Sequence, residues 1–365
     1  MKEMLLPSTT DDAIFDNIGP GDLVRYSRTC KAAREAVSSY NRRAFNLERV
    51  LSRYFTPTQI TKLRELQFET GALISGSTAL QLLDRSHYEN SDLDLYVTHH
   101  SCKPIGLWLQ SIGYQYEPKS TGRAPLALRK LETALEYVDP LERLKEHLLE
   151  GRKDHSFLDR SASGYLRVLN IYDFKKPNDN NVKIQLMTTW HTPLECVLNF
   201  HSTCVMNFIT YDKAFSLYPQ GTFNERRSLA YLPTIQGRKE VYEKYTDRGW
   251  KIVKNGWWRE CDDPNSAFAI GLRRVGDAHC WTVPLSPKLD LPESTMEGNT
   301  WCLDGNIETE TPEMVFRFFK SPILSTRYLV GTRELEEGIS SCFPERTSGL
   351  KWDKYFKELI ESFPL

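Results

Sequence analysis

Long hydrophobic runs are missing from this 365-residue chain. No stretch approaches the roughly 20 apolar residues that a membrane helix needs, so no membrane partner is expected. The opening MKEMLLPSTTDD has no apolar segment of the kind a secretory signal requires. An excess of one charge is missing too. The 47 basic and 48 acidic residues nearly cancel, leaving a net charge of -1. That excludes a bulk field drawing the chain to nucleic acid, and any basic groove must be local. The eight cysteines, at 30, 102, 196, 204, 261, 280, 302 and 342, include no Cys-x-x-Cys pair. The common zinc modules are thereby excluded, and free thiols in a reducing compartment, cytoplasm or nucleus, are expected. There is no internal repeat and no low-complexity tract. What remains is a chain 40% hydrophobic and 12% aromatic, able to bury a substantial core. Its length suggests two or three domains.

The most informative residues lie between positions 73 and 95. Leu73 and Ile74 read as a strand end, followed by Gly76-Ser77 and an apolar helical run from Thr78 to Leu83. Sixteen residues after Gly76 begins SDLDLYV, with Asp92 and Asp94 two apart. Side chains alternate on a strand, so Asp92 and Asp94 share a face while Leu93 and Leu95 point into the core. Two adjacent carboxylates repel unless a cation sits between them. A glycine ahead of a helix lets backbone approach an anion, and the helix N-terminus supplies free N–H groups. One segment is thus suited to phosphate and the next to the metal that phosphate carries.

This order of Gly-Ser, helix and Asp-apolar-Asp strand resembles the nucleotidyltransferase superfamily, the fold of DNA polymerase beta. The resemblance implies an α+β chain with a mixed β-sheet core flanked by helices. It implies a nucleoside triphosphate, ATP first among them, at Gly76 and Ser77, and two Mg2+ ions at Asp92 and Asp94, the catalytic pair. A third carboxylate is expected on a later strand. The next strands are residues 165–174 and 181–187, joined by the turn KKPNDNN. In the second, Val182, Ile184 and Leu186 share one face, and Lys183, Gln185 and Met187 the other. The third acid falls where Gln185 stands, so a neutral amide oxygen replaces a charged ligand. Asp173 is a rival third ligand if the hairpin turns it toward the site.

Residues 1–55 read as a separate small helical module. Leu6, Pro7, Ile14, Ile18, Pro20, Asp22, Leu23, Ser27 and Cys30 resemble the F-box, which docks on the Skp-type adaptor of cullin ubiquitin ligases. Gly19-Pro20-Gly21 breaks the helix, with Asp22 as the next N-cap. The alternative is a helical cap packed on the core. Residues 56–210 then form the nucleotidyltransferase-like core. Thr56 or Thr58 caps its first helix, and a charged helical insertion spans 117–163, read as a solvated face or an acceptor-binding lid. The stretch TPLECVLNFHSTCVMNFITYDKAFSLYP is similar to segments of uncharacterised fungal proteins with such cores. It starts as a helix at Pro193, with an apolar stripe running from Leu194 to Ile209. His201 and Cys204 read as core rather than as metal ligands.

Residues 211–365 form an α/β region expected to close on the core. Its cations are Arg226, Arg227, Lys251, Lys254, Arg259, Arg273 and Arg274. Trp257 and Trp258 fill a second small core or stack on a base. The last helix, WDKYFKELIESF, is amphipathic and expected to dock. Three functions follow. The first is Mg2+-dependent nucleotidyl transfer to an unknown acceptor. The second is a catalytically degenerate fold acting as an F-box-type ligase adaptor. The third is a fold repurposed for secondary metabolism or defence.

Overall fold

The computed structural model describes residues 8–89, 91–118, 129–138, 168–177, 179–230, 238–254, 257–306, 311–343 and 351–363. Leu6, Pro7 and most of the charged 117–163 stretch lie outside them. The chain opens with α1 (Ser8–Phe15), α2 (Pro20–Ser27) and α3 (Lys31–Ala44). Pro20 starts α2 because its ring pre-sets helical φ and a first-turn N–H is dispensable. Gly19 is therefore the N-cap, while Asp22, expected in that role, sits in the first turn and pairs with Arg25. Phe15, Leu23, Val37 and Tyr40 close a small core among the three helices.

Next come α4 (Leu47–Leu51) and α5 (Pro57–Thr70). Thr56, not Thr58, caps α5: its hydroxyl accepts from the Gln59 amide, and the Gln59 side chain accepts from the Thr56 amide. This reciprocal box satisfies two amides that the first turn leaves open. The strands and helices that follow are β1 (Leu73–Ser75), α6 (Gly76–Asp84), β2 (Leu93–Thr98), α7 (Cys102–Ser111), β3 (Gln115–Glu117) and α8 (Leu131–Glu136). Then come β4 (Asn170–Lys176), β5 (Asp179–Thr189), α9 (Pro193–Leu198), β6 (Asn207–Ile209) and β7 (Lys213–Ser216). The hairpin between β4 and β5 is tighter than KKPNDNN suggests, because Lys175 and Lys183 still pair across it. The apolar stripe from Leu194 to Ile209 is not one helix. It ends at Leu198 and resumes as the strand β6, since almost every side chain along it is buried and no helical period survives.

One eight-stranded sheet organises the molecule, in the order β11-β7-β6-β1-β2-β5-β4-β3, with β2 and β5 parallel and every other neighbouring pair antiparallel. Its edge strand β11 (Trp281–Pro284) follows β8 (Arg227–Leu229), α10 (Arg238–Asp247), β9 (Lys251–Val253) and β10 (Gly271–Arg274). Two strands of the sheet thus come from beyond residue 210. This mixture of helices with a mixed sheet fits the α+β expectation.

Alternation divides the sheet faces. Ile74, Leu93, Leu95, Val97, Ile184 and Leu186 point to one face, under α4 to α8. Leu73, Phe208 and Phe215 point to the other, against α9 and the C-terminal third. That third adds β12 (Thr300–Asn306), β13 (Thr311–Val315), β14 (Arg317–Phe319), β15 (Tyr328–Val330), α11 (Arg333–Cys342) and α12 (Asp353–Ser362). The terminal helix docks as its amphipathic pattern predicts, with Phe356 and Ile360 buried against Phe319 and Tyr328. No disulfide joins the eight cysteines. No helix among the described residues is long and apolar enough to cross a membrane.

The N-terminal helices are fastened to the sheet layer. Arg85, the C-cap of α6 with φ +54°, donates to the carbonyls of Phe15 (2.8 Å) and Ile18 (3.1 Å) and to the Tyr40 hydroxyl. Phe45 meets Trp281 of β11 edge-on at 5.1 Å. Three guanidinium hydrogen bonds from one side chain to three separate groups make this a specific joint.

Candidate functional site

Strand register brings the predicted residues into one row. Ser75 of β1 pairs with Asp94 of β2, Asp94 with Gln185 of β5, and Gln185 with Asp173 of β4. Residues paired across a sheet share a face, so Asp94, Gln185 and Asp173 project together. They lie on the face opposite Leu93 and Leu95. Asp92 stands just ahead of β2, beside Lys183, because Leu93 pairs with Ile184. Farther along the same face, Tyr96 and Met187 are covered by Cys196 of α9. The carboxylate end is therefore the open end of a covered face.

Gly76 forms the other wall. Its φ of +64° is a left-handed conformation that side chains disfavour. A Cβ placed there would sit 2.2 Å from Oδ2 of Asp94. Only glycine lets the start of α6 come this close to the carboxylate. No side chain caps the N-terminus of α6, so its first amides remain available at the same place. Ser75 itself is turned away, with its hydroxyl donating to the Asn207 carbonyl. Ser77 is buried in the first turn of α6.

The loop leading to Asp92 is held firmly. Gln81 accepts from the Tyr88 amide (2.6 Å) and donates to the Ser91 hydroxyl (3.1 Å), while the Tyr54 hydroxyl donates to the Ser91 carbonyl (2.6 Å). These bonds fix the carboxylates before any ligand arrives.

The two aspartates differ in their surroundings. The carboxylate of Asp94 accepts no side-chain hydrogen bond and makes no ion pair among the described residues, although it is only partly open to solvent. Burial, reinforced by the neighbouring Asp92 charge, raises its pKa to about 7. Burial also raises Asp92, opposed first by Lys183. Lys183 Nζ lies 3.9 Å from Asp92 and 3.2 Å from Asp173. Gln185 donates its amide to the same oxygen of Asp173 at 2.7 Å. The hairpin thus does turn Asp173 toward the site, and Gln185 does face the aspartates. Asp173, however, is engaged by Lys183 and Gln185. No cluster of three or more His, Cys, Asp or Glu arranged for a metal occurs among the described residues.

Helix α10 and the turn after it contribute two cations, Lys244 and Arg248, that sequence reasoning passed over. Burial and the nearby Arg248 charge lower the pKa of Lys244, while Asp94 and Asp92 oppose the shift, placing this ammonium in the field of both carboxylates. The guanidinium of Arg248 lies 3.7 Å from the centre of the Tyr88 ring. Its Nη1 is buried without a hydrogen-bond partner among the described residues. Tyr245 anchors this end of the helix, with its ring 6.3 Å from that of Trp250. The signal was the pair Lys244 and Arg248, four apart in YEKYTDRGW. On a helix that spacing shares a face.

Other candidates stay apart. Cys204 is buried as expected, whereas His201 is only half-buried, its ring packed on Tyr242 and Tyr245. Trp257 is buried in the second core, whereas Trp258 is 51% exposed under Arg259. No family model, curated protein or solved structure matches this chain.

Proposed function

We propose that this chain binds a magnesium nucleoside triphosphate at the open end of β2 and transfers its nucleotidyl group to an acceptor hydroxyl. The observation that carries this reading is the Asp94 carboxylate. It is largely enclosed, makes no side-chain bond within the described protein, and rests against a glycine at an uncapped helix start. A carboxylate held so, with burial raising its pKa, is suited to a cation that arrives with a ligand.

Asp92 and Asp94 would hold the divalent ion, a hard cation suited to carboxylate oxygens. Bound there, such an ion would supply positive charge against the triphosphate. The first amides of α6 cradle the triphosphate oxygens, because helix N-termini favour anions. Lys244 and Arg248 offset the remaining negative charge, and the unpartnered Nη1 of Arg248 gains an acceptor. The acceptor oxygen bonds to the α-phosphorus, the bond to pyrophosphate breaks, and the acceptor proton passes to water. Positioning and charge balance carry most of such a reaction. The fold this implies is the nucleotidyltransferase-like core, with Gln185 in place of the third acid.

Calorimetric titration with a panel of nucleoside triphosphates, with and without Mg2+, tests the reading. Binding that needs Mg2+ and disappears in the Asp92→Asn/Asp94→Asn double variant supports it. A wild-type chain that binds none of the panel overturns it. Lys244→Ala and Arg248→Ala are each expected to weaken triphosphate binding about tenfold, or ~1.4 kcal/mol, with little effect on a nucleoside monophosphate. Equal losses for both ligands would remove these side chains from the phosphate path.

A second reading concerns the N-terminal helices. Of the six large apolar side chains exposed among the described residues, Ile14, Val24 and Tyr26 lie on α1 and α2. Exposed apolar side chains gathered on one small module suit a protein partner, here a Skp-type adaptor. Capture of that adaptor by the full chain, lost on Ile14→Asp/Tyr26→Asp, is the expected result. Undiminished capture by the variant would exclude this face.

A further inference from the structure

We infer that the Lys183 ammonium is a built-in cation occupying the place of a second divalent ion, so that this site takes one metal ion and not two. The inference rests on the nucleotide-site reading above and concerns how many ions that site accepts.

Three observations point the same way. First, Lys183 comes from β5, the parallel neighbour of β2, at the register position next to Asp92. Its Nζ lies between two carboxylates, 3.9 Å from Oδ2 of Asp92 and 3.2 Å from Oδ1 of Asp173. A divalent ion bridging those two groups would need the space the ammonium fills, and the two cations would repel at contact distance. Second, Asp173 is present but already engaged. Its Oδ1 pairs with the Lys183 ammonium and accepts a hydrogen bond from Gln185. A carboxylate only accepts, so Gln185 must donate through its NH2 and keeps a single neutral acceptor oxygen. Third, little negative charge is left for a second ion. Asp92, Asp94 and Asp173 carry at most three negative charges, and Lys183 and Lys244 offset two of them. One divalent ion already outweighs the charge that remains, so a second would leave the bare site strongly positive.

Lys183 is therefore a positioning residue. It holds Asp173 away from the metal and fixes Asp92 from one side, while Asp94 stays open. The replacement of a third acid by Gln185 and the approach of Lys183 are two halves of one arrangement. An acid at 185 would stand against Asp173 with no amide between them, and like charges at that spacing are unfavourable.

The test counts Mn2+ on the full chain in the presence of α,β-methylene-ATP, by calorimetry and by electron paramagnetic resonance. The wild type is expected to bind one Mn2+ per nucleotide complex and to give the spectrum of an isolated ion. Lys183→Met is expected to bind two, with the broadened signal of a coupled pair. Lys183→Arg keeps a cation there and stays at one, and Lys183→Met/Asp173→Asn returns to one. Two Mn2+ in the wild type, or one in a folded Lys183→Met chain, overturns the inference while leaving the nucleotide site standing. A wild type that binds neither Mn2+ nor nucleotide overturns both. Because the wild-type count alone decides the first outcome, a misfolded variant does not blunt the test.

Discussion

Replacing Asp94 with Asn stabilises the free protein at pH 8, by on the order of 2 kcal/mol, and abolishes Mg2+-dependent nucleotide binding. The sign follows from the direction of the shift. In the unfolded chain this carboxyl ionises near its ordinary value of 3.8, whereas in the fold burial raises it to about 7. A group with a raised carboxyl pKa binds its proton more tightly when folded. It contributes no penalty below about pH 4, a growing one as pH climbs toward 7, and a constant one above. The full shift would correspond to roughly 4 kcal/mol, and solvent contact at the mouth of the site reduces that to about half. Thermal melts of both proteins at pH 4 and pH 8 measure it. The curves should nearly coincide at the lower pH and separate by a few degrees at the higher. Mg2+ with ATP should then raise the wild type and leave the variant unmoved, since only a ligand bound by the native state shifts the midpoint. A loss of stability at pH 8 would mean that Asp94 serves an internal contact, and the site reading would fall with it.

Replacing Gly76 with Ala acts on the same carboxylate from the opposite wall. At φ +64° an alanine costs about 1 kcal/mol in backbone conformation alone. Its Cβ would also fall 2.2 Å from Oδ2 of Asp94, so the carboxylate must rotate away. The fold loses about 1–2 kcal/mol, while nucleotide affinity drops at least roughly 100-fold, because a swung carboxylate cannot meet the ion. Urea unfolding and nucleotide titration of the same samples separate the two effects. The coupling is measurable as well. In an Asp94→Ala background the clash disappears, and Gly76→Ala should then cost only its backbone share. Full additivity of the two substitutions would show that Gly76 and Asp94 do not touch.

Much of this site was legible in the chain because its signals are local. The alternation in SDLDLYV put Asp92 and Asp94 on one face and Leu93 and Leu95 on the other, and both leucines are buried. The Gly76-Ser77 turn opens a helix, as a glycine ahead of an apolar run suggests. Gln67 illustrates what was not legible. It reads as one more polar residue on a helix, yet it is buried and donates to the carbonyls of Ala72 and Ile209. The stretch from Leu194 to Ile209 misled for a related reason. With nearly every side chain buried, its period vanished, and only pairing with β1 and β7 made β6 a strand.

The sequence by itself determined the two carboxylates, their shared face, the glycine beside them, the capped helix before them and the docked helix at the end. These depend on backbone period and on turn chemistry within a few residues, which any reader of the chain can apply. Tertiary structure alone decided what surrounds the carboxylates. Lys183 reaches Asp92 only because β5 lies parallel to β2 in one particular register, and Asp173 joins it only through the hairpin back to β4. Lys244 arrives on a helix some 150 residues downstream of Asp94, placed by its packing and not by any local pattern. Charge interactions depend on distance in space, and the number of residues between two charges says nothing of that distance until the sheet is formed.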